Sequence, residues 1–245
     1  LRMSFFYSLN LNRFEAMKGE GKKTERWREM KTFSHVFQPN FDEVFDKDFI
    51  HKGKWKENVL KNENPIVLEL TCGRGEYSVG LGTHFPEKNF IGFDIKGARI
   101  WQGAKQALVQ GLKNVFFVRT RIDFITSFFA KDEVDEIWIT FPDPQPQESR
   151  ERKRVTAPIF MERYKQILKP GGIIHLKTDN EGFFRYTLEE IKRNNYELIE
   201  HTFNLYGEAI EKLDPKTQEI LSIKTYYENL FSAQGHSIHY LRFRL

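Results

Sequence analysis

The stretch IVLELTCGRGEYS, residues 66–78, decides the fold of this chain. Its first five residues form a short apolar run, which predicts a buried strand. Gly73 and Gly75 follow, separated by one residue, and a helical pattern begins at Glu76. Two glycines at a strand-to-helix junction let the backbone turn tightly and approach a ligand closely. The stretch therefore predicts the first strand, loop and helix of a ligand-binding α/β unit.

Beyond this loop, short apolar runs alternate with amphipathic stretches. Strands are predicted at 66–70, 89–95, 115–118, 136–141, 173–177 and 237–243, and helices at 76–84, 97–110, 156–168 and 182–194. The third helix stops at KPGG, residues 169–172, which predicts a turn. Strands alternating with helices of about 10 to 14 residues indicate βαβ units and a parallel sheet.

Composition limits the class of protein. The 245 residues are 40% hydrophobic and 29% charged, enough for a core, and the one cysteine, Cys72, excludes an internal disulfide framework and a Cys-rich metal site. No run of about 18 apolar residues occurs, so we expect no membrane span and a cytoplasmic protein. The net charge of +4 is a weak indication of a polyanionic partner.

We expect a mobile basic arm at 1–32 and a single domain at 33–245.

The acidic residue at the end of the second predicted strand, Asp94, narrows the choice of ligand. A dinucleotide fingerprint needs a third glycine where this chain has Ser78, which weakens an NAD prediction. Asp94 lies 19 residues after Gly75, where it can accept hydrogen bonds from both ribose hydroxyls of an adenosine. The alternative is an ordinary turn whose aspartate caps the next helix.

Glu69 separates the candidate ligands further. A carboxylate at the end of a phosphate-binding strand would repel the phosphates at close range. S-Adenosylmethionine has a sulfonium and an ammonium group and no phosphate. Glu69 therefore favours this cofactor over NAD or ATP.

The fourth strand ends in FPDP, residues 141–144. Prolines on both sides of Asp143 hold one carboxylate at the carboxyl edge of the sheet, where open α/β sheets bind ligands. A stiff exit turn is the alternative. RERKR follows at 150–154, four cations that could lie against nucleic-acid phosphates or form a solvated face.

At this point the chain resembles the tRNA (guanine-N7)-methyltransferases, a family of class I S-adenosylmethionine-dependent enzymes. The resemblance runs from about 33 to 243. It depends on EL with CGRGE within 69–76, NFIGFDI at 89–95, FPDP at 141–144, LKPGG at 168–172, KTDN at 177–180 and TYYE at 225–228, with Gly235 beyond. The order and spacing of FPDP and KTDN are the most specific part.

The resemblance implies a Rossmann-like, doubly wound sheet of seven mostly parallel strands with an antiparallel last strand. It implies S-adenosylmethionine as cofactor, with a binding set of Glu69, Gly73, Gly75, Asp94, Arg121, Ile122 and Asp143. Family members usually have glycine at position 71, tryptophan at 145 and lysine near 147. This chain has Thr71, Gln145 and Gln147, and Thr120-Arg121-Ile122 replaces the usual acid or amide near the adenine.

The implied substrate is a guanine in tRNA, guanine 46 of the variable loop. The implied substrate-binding set is Gln147, Lys153, Arg154, Asp179, Thr225 and Glu228, and 205–224 is a mobile lid or an ordinary solvated insertion. N7 of guanine has a free lone pair, so methylation needs no general base. Asp143 and Asp179, the predicted catalytic residues, would position the base and stabilise its developing positive charge.

Two other functions stay open at this stage. A methyltransferase of another acceptor would not depend on the cations at 150–154. A catalytically silent RNA-binding relative is suggested only by Thr71, Gln145 and the altered region after the third strand. We expect no metal, and the sequence leaves open whether the chain is a monomer or a homodimer.

Overall fold

Eight strands form one sheet in this computed structural model, which describes residues 22–211 and 213–245. The strands are β1 (Val36–Phe37), β2 (Ile66–Leu70), β3 (Asn89–Asp94), β4 (Val115–Arg119), β5 (Val134–Thr140), β6 (Leu168–Thr178), β7 (Glu197–Thr202) and β8 (His239–Arg244). Every residue of β2 and β3 is buried, as expected for central parallel strands.

The strand order is β1-β4-β3-β2-β5-β6-β8-β7. All pairs are parallel except those of β8, which runs antiparallel between β6 and β7. The predicted mostly parallel sheet with an antiparallel last strand is therefore confirmed, with the two-residue β1 as an eighth strand. The sequence did not locate β7, because most of its residues are exposed or half-buried and the apolar pattern is weak.

Helices cover both faces of the sheet. They are α1 (Lys22–Met30), α2 (Phe41–Val44), α3 (Glu76–His84), α4 (Gly97–Val109), α5 (Ile125–Phe128), α6 (Pro158–Ile167), α7 (Glu181–Arg193), α8 (Pro215–Leu221) and α9 (Tyr226–Ala233). Apolar residues of α5, α6 and α7 pack with Leu68 and Ile91, whereas those of α3 and α4 belong to clusters with Val67 and Phe117. Successive side chains along each strand point to opposite faces of the sheet, so the strands contribute to the core on each face.

The turn predicted at 169–172 is wrong. The helix before it ends at Ile167, close to the predicted stop, but β6 begins at Leu168 and continues through the two glycines. Leu168 pairs with Val134 at the start of β5, and Gly171 has a φ of +79°. A glycine in this conformation lets the strand bend without leaving the sheet.

The predicted mobile arm also needs correction. Residues 1–21 lie outside the described residues, but 22–30 form α1, which packs on α4. The Glu29 carboxylate accepts a hydrogen bond from Trp101 Nε1 at 2.8 Å and pairs with Lys105, and Met30 is buried. The domain therefore includes α1.

The insertion at 205–224 packs against the rest of the domain. It contains a π-helical turn, Leu205–Ala209, and α8, and both Leu205 and Leu221 are fully buried. The Tyr77 hydroxyl of α3 donates to the Ile220 carbonyl at 3.0 Å. No helix among the described residues has the length and apolar character needed to cross a membrane.

Candidate active site

A cavity of about 460 Å³ opens at the carboxyl edge of the sheet. β3 and β5 flank β2 there, and the chain reverses its direction of winding at this point, where open α/β sheets bind ligands. Of the predicted site residues, those that line the cavity are Gly73, Asp94, Asp143, Asp179 and Thr225. Five residues that are distant in sequence therefore line one cavity.

The two loop glycines have left-handed backbones, with φ of +55° at Gly73 and +73° at Gly75. A Cβ on Gly75 would lie 2.5 Å from a ring carbon of Phe117, and a Cβ on Gly103 would lie 2.6 Å from the Arg74 carbonyl oxygen. The loop thus packs backbone to backbone on α4. Gly73 lines the cavity, whereas Gly75 packs against Phe117 and does not line it.

Thr71 also has a positive φ, +62°, a conformation that is unfavourable for a β-branched residue. Its hydroxyl donates to the Leu70 carbonyl at 2.5 Å and approaches the Thr140 carbonyl at 3.2 Å. This departure from the usual family glycine keeps the left-handed turn, and its side chain ties β2 to the end of β5.

Asp94 connects the loop to the next strand. One carboxylate oxygen accepts from the Gly73 N–H at 3.0 Å and the other from the Lys96 N–H at 2.7 Å. Burial raises the pKa of this carboxyl, and the two backbone hydrogen bonds oppose that rise. Lys96 is the N-cap residue of α4. Asp94 therefore braces the helix start, as in the simpler interpretation of its position, and also lines the cavity.

Glu69 lies behind the loop and does not line the cavity. Its carboxylate accepts from the Ser78 N–H at 2.8 Å, the Ser78 hydroxyl at 2.5 Å and the Thr140 hydroxyl at 2.6 Å. Complete burial raises its pKa to about 7, because these hydrogen bonds only partly compensate for lost hydration. Glu69 therefore caps the first turn of α3 and joins it to β2 and β5.

Asp143 and Asp179 follow β5 and β6 and line the same cavity. Asp143 is exposed, and its carboxylate accepts from the Gln145 N–H at 3.1 Å. The backbone on either side has a positive φ, +46° at Phe141 and +44° at Gln145, a strained arrangement often found at binding sites. Burial raises the pKa of Asp179, while nearby His236 and His239 lower it.

Of the predicted pair Thr225 and Glu228, only Thr225 lines the cavity. Thr225 is the N-cap of α9 and lines the cavity, and its hydroxyl accepts from the Glu228 N–H at 3.1 Å. Glu228 is fully buried away from it, with its carboxylate 3.0 Å from Lys177 Nζ and hydrogen-bonded by the Tyr206 hydroxyl. The structure thus brings only the first residue of the pair to the cavity.

A second cavity of about 320 Å³ adjoins the first and shares Thr71, Asp94 and Ile95 with it. Arg121, Ile122 and Lys153 line this second cavity. The predicted binding residues after the third predicted strand therefore lie beside Asp94, and the two cavities together extend over the ends of β2, β3 and β4.

The basic run lies at the edge of these cavities on a 3-10 helix, Glu148–Lys153. Arg150, Arg152 and Lys153 are exposed and form no ion pair among the described residues. Arg154 differs, because its Nε donates to the Gln145 carbonyl at 3.2 Å and its guanidinium lies 4.3 Å above the Tyr186 ring. Gln147 is exposed just before the 3-10 helix and lines neither cavity.

The structure adds cavity residues that the sequence reasoning missed. Arg74 lies 3.4 Å above the Tyr226 ring, and Arg99 lies 5.2 Å above the Tyr227 ring. Arg74, Arg99 and Tyr227 all line the larger cavity. Arg74 is part of the CGRGE motif and Tyr226 of TYYE, but nothing in either motif indicates that this arginine and this ring are in contact.

A family model described as a putative methyltransferase matches residues 63–241. A tRNA (guanine-N(7)-)-methyltransferase of Christiangramia forsetii is 47% identical over 93% of this chain and 99% of its own length. One from Bacteroides thetaiotaomicron is 48% identical over 91% of this chain and 85% of its own, and one from Streptococcus thermophilus is 35% identical over 77% and 84%.

Among solved structures, the 16S rRNA methyltransferase KamB superimposes with a TM-score of 0.57, covering 77% of this chain and 91% of its own, at 13% identity. A 16S rRNA (adenine(1408)-N(1))-methyltransferase crystallised with S-adenosylmethionine gives a TM-score of 0.52 at 12% identity over 78% and 90%. At such low identity these likenesses show the fold, a class I methyltransferase sheet.

Proposed function

The chain belongs to the tRNA (guanine-N7)-methyltransferase family, and on that premise we propose that it methylates guanine 46 in the variable loop and that the two joined cavities hold both reactants. The reaction is the transfer of a methyl group from S-adenosylmethionine to N7 of a guanine in tRNA. We place this reaction in the cytoplasm, where the tRNA substrate is found.

The donor is held by Gly73, Gly75, Asp94, Arg121, Ile122 and Asp143. The fit is supported by Gly73, whose left-handed backbone lines the larger cavity, and by the buried Asp94 carboxylate, which lines both cavities. When bound, the cofactor supplies an electrophilic methyl group on a sulfonium. Glu69 supports this set from behind, since its carboxylate secures the start of α3.

The guanine is held by Asp179 and Thr225, which line the side of the larger cavity opposite Asp94 along the sheet edge. N7 carries no proton, so no residue needs to remove one. The Asp143 and Asp179 carboxylates orient the base and stabilise the positive charge that develops on its ring. Glu228 contributes indirectly, because it caps the helix that begins at Thr225.

The tRNA backbone is held by Lys153, Arg154 and Gln147 at the cavity edge. Exposed cations beside a pocket attract phosphates, whereas the target base enters the pocket and is recognised by its edges. Lys153 lines the second cavity, so a phosphate bound there lies next to the donor.

One observation carries this proposal: Asp94, Asp143, Asp179 and Thr225, from four separate segments, surround a single cavity. The experiment incubates the purified protein with unmodified tRNA and labelled S-adenosylmethionine, followed by borohydride and aniline cleavage at 7-methylguanosine. We expect a single cut at position 46 and none in a transcript with adenine there.

Label that enters tRNA without a cut at position 46 would refute the assignment of the target guanine. Label that enters only another acceptor would favour a different substrate. Tight tRNA binding without label in any acceptor would identify a catalytically silent relative.

A further inference from the structure

A groove of about 1020 Å³ lies beside the second cavity. It is bounded by α2 and the residues that follow it, by the segment from Arg121 to Lys131, and by the outer face of α6. We call it the Phe41 groove and define it by Phe41, Phe45, Phe124, Lys131 and Arg163. It shares no lining residue with the larger cavity of the candidate active site.

Aromatic rings line one wall of the Phe41 groove. Phe41 is 60% exposed and Phe45 is 47% exposed, although phenylalanine is usually buried. Their rings are stacked, with centroids 4.7 Å apart and an interplanar angle of 18°. Phe124 meets both rings edge-on, at 5.6 and 6.2 Å, and fixes their orientation. The pair offers a rigid, solvent-facing stacking surface.

Cations line the groove beside these rings. Six lysines and arginines face the groove against four acids, and three of these acids are paired within it: Asp48 with Lys52, Asp123 with Arg121, and Glu162 with Lys165. Lys131 and Arg163 form no ion pair among the described residues. Lys47 forms none in that part of the chain either, and Asp46 is the remaining acid, so the groove keeps an excess of two positive charges.

Arg163 carries the most specific signal. Its Nη1 atom is buried and has no hydrogen-bond partner among the described residues. A buried guanidinium N–H without an acceptor is unfavourable, because it has lost its hydration without replacement. The guanidinium is 5.2 Å from the Phe160 ring, which supports it from one side. Arg163 itself is half-buried and lines the groove, so an anionic oxygen that enters beside its guanidinium would bring an acceptor close to this donor.

The groove continues into the donor side of the candidate active site. It shares Arg121 and Asp123 with the second cavity, which Lys153 and Phe160 also line. A strand that occupies the groove therefore leads towards the place where the methyl donor binds.

We propose that the Phe41 groove binds a single-stranded segment of the same tRNA whose guanine is methylated. This inference rests on the proposed function. Bases stack on Phe41 and Phe45, and a backbone phosphate accepts hydrogen bonds from Arg163 with Lys131 beside it. Stacked rings next to cations are the combination that binds unpaired nucleotides. The excess of cations favours this occupant over a second copy of the chain, whose matching face would bring like charges together.

The experiment measures methylation kinetics with unmodified tRNA for two variants, Phe41→Ala/Phe45→Ala and Arg163→Gln. We expect the apparent KM for tRNA to rise about tenfold in the first, since each stacked base contributes substantially to binding. The KM should rise about fivefold or more in the second, with a shallower dependence of tRNA affinity on salt. The dissociation constant of S-adenosylmethionine, measured by calorimetry, should not change, which also shows that each variant is folded.

Two matched controls remove similar groups elsewhere. Val109→Ala shortens a side chain that is 75% exposed at the end of α4, and Lys113→Gln removes an exposed cation just before β4; neither residue lines the groove. Both should keep the wild-type KM for tRNA.

An unchanged KM in both groove variants would overturn the groove proposal while the wild-type methylation of tRNA stands. A change of molecular mass in light scattering without a change in KM would overturn it in favour of a second copy. Failure of the wild type to methylate tRNA would overturn the proposed function, and the groove proposal with it.

Discussion

The two sides of the larger cavity are built differently. On the side proposed to hold the methyl donor, which we call the donor side, Glu69 bonds to Ser78 and Asp94 bonds to Gly73 within one stretch of the chain, and Glu69 adds one distant contact, to Thr140. On the base side the stabilising contacts join distant segments, because Lys177 of β6 pairs with Glu228 of α9 and donates to the Leu221 carbonyl in the insertion. The donor side is therefore built mainly from one stretch of the chain, 69–96, whereas the base side exists only after the sheet and the insertion have assembled.

Lys177 joins the segments that form the side of the cavity proposed to hold the base. Its ammonium is fully buried, and besides Glu228 it lies 2.9 Å from the Leu221 carbonyl and 3.4 Å from that of Ile223. Burial lowers its pKa, while the Glu228 carboxylate opposes that change. One side chain thus holds the insertion, the helix cap at Thr225 and β6, which leads directly to Asp179.

The largest expected effect is that of Lys177→Ala. It leaves the Glu228 carboxylate buried and unpaired, so we expect a loss of about 3–5 kcal/mol in the free energy of unfolding, measured by urea titration. Replacing both partners, as Lys177→Met with Glu228→Leu, should recover most of this loss. Lys216→Ala, which removes an exposed lysine 3.8 Å from Glu87, should cost less than about 1 kcal/mol. A loss that small in Lys177→Ala would contradict the proposed dependence of the base side on this pair.

The next effect separates the two sides directly. Asp179→Ala should lower kcat by about 10²–10³-fold through the loss of an electrostatic contact in the transition state, with nearly unchanged affinity for S-adenosylmethionine. Asp94→Ala should weaken that affinity itself, because it frees the Gly73 and Lys96 N–H groups. Calorimetry with the cofactor and single-turnover methylation measure the two quantities. Equal loss of cofactor affinity in both variants would show that the two faces are wrongly assigned.

The third effect concerns pH and the donor side. Because burial raises the pKa of Glu69 from 4.5 to about 7, the folded state binds this proton more tightly than the unfolded state. The resulting stability is complete below pH 4.5 and is lost as the pH rises to about 7, by about 3 kcal/mol at most. Glu69→Gln has no proton to lose, so its free energy of unfolding should fall less between pH 4.5 and 7. If urea titrations show the free energies of unfolding of variant and wild type falling in parallel with pH, Glu69 is not the origin of this loss of stability.

The sequence brought Gly73 and Asp94 together, but it did not predict the directions of Glu69 and Glu228. The GRG loop and Asp94 were assigned to one site, and the structure brings Gly73 and Asp94 into contact. Glu69 was expected near the cofactor, but its carboxylate faces Ser78 and Thr140 behind the loop. Glu228 was expected to face the guanine, and the structure directs it towards Lys177 instead. The direction of a side chain depends on partners that the motif does not contain.

The amino-acid sequence by itself determined the α/β class, the strand-to-helix loop at 71–75 and the family, because these depend on local periodicity, glycine placement and motif order. Only the tertiary structure decided which acids face the cavity, that 22–30 pack as a helix on α4, and that exposed phenylalanines lie beside an unpaired arginine. These features are set by contacts between residues far apart in the chain. Burial and pairing, which fix the charge and direction of each side chain, arise only when those segments meet.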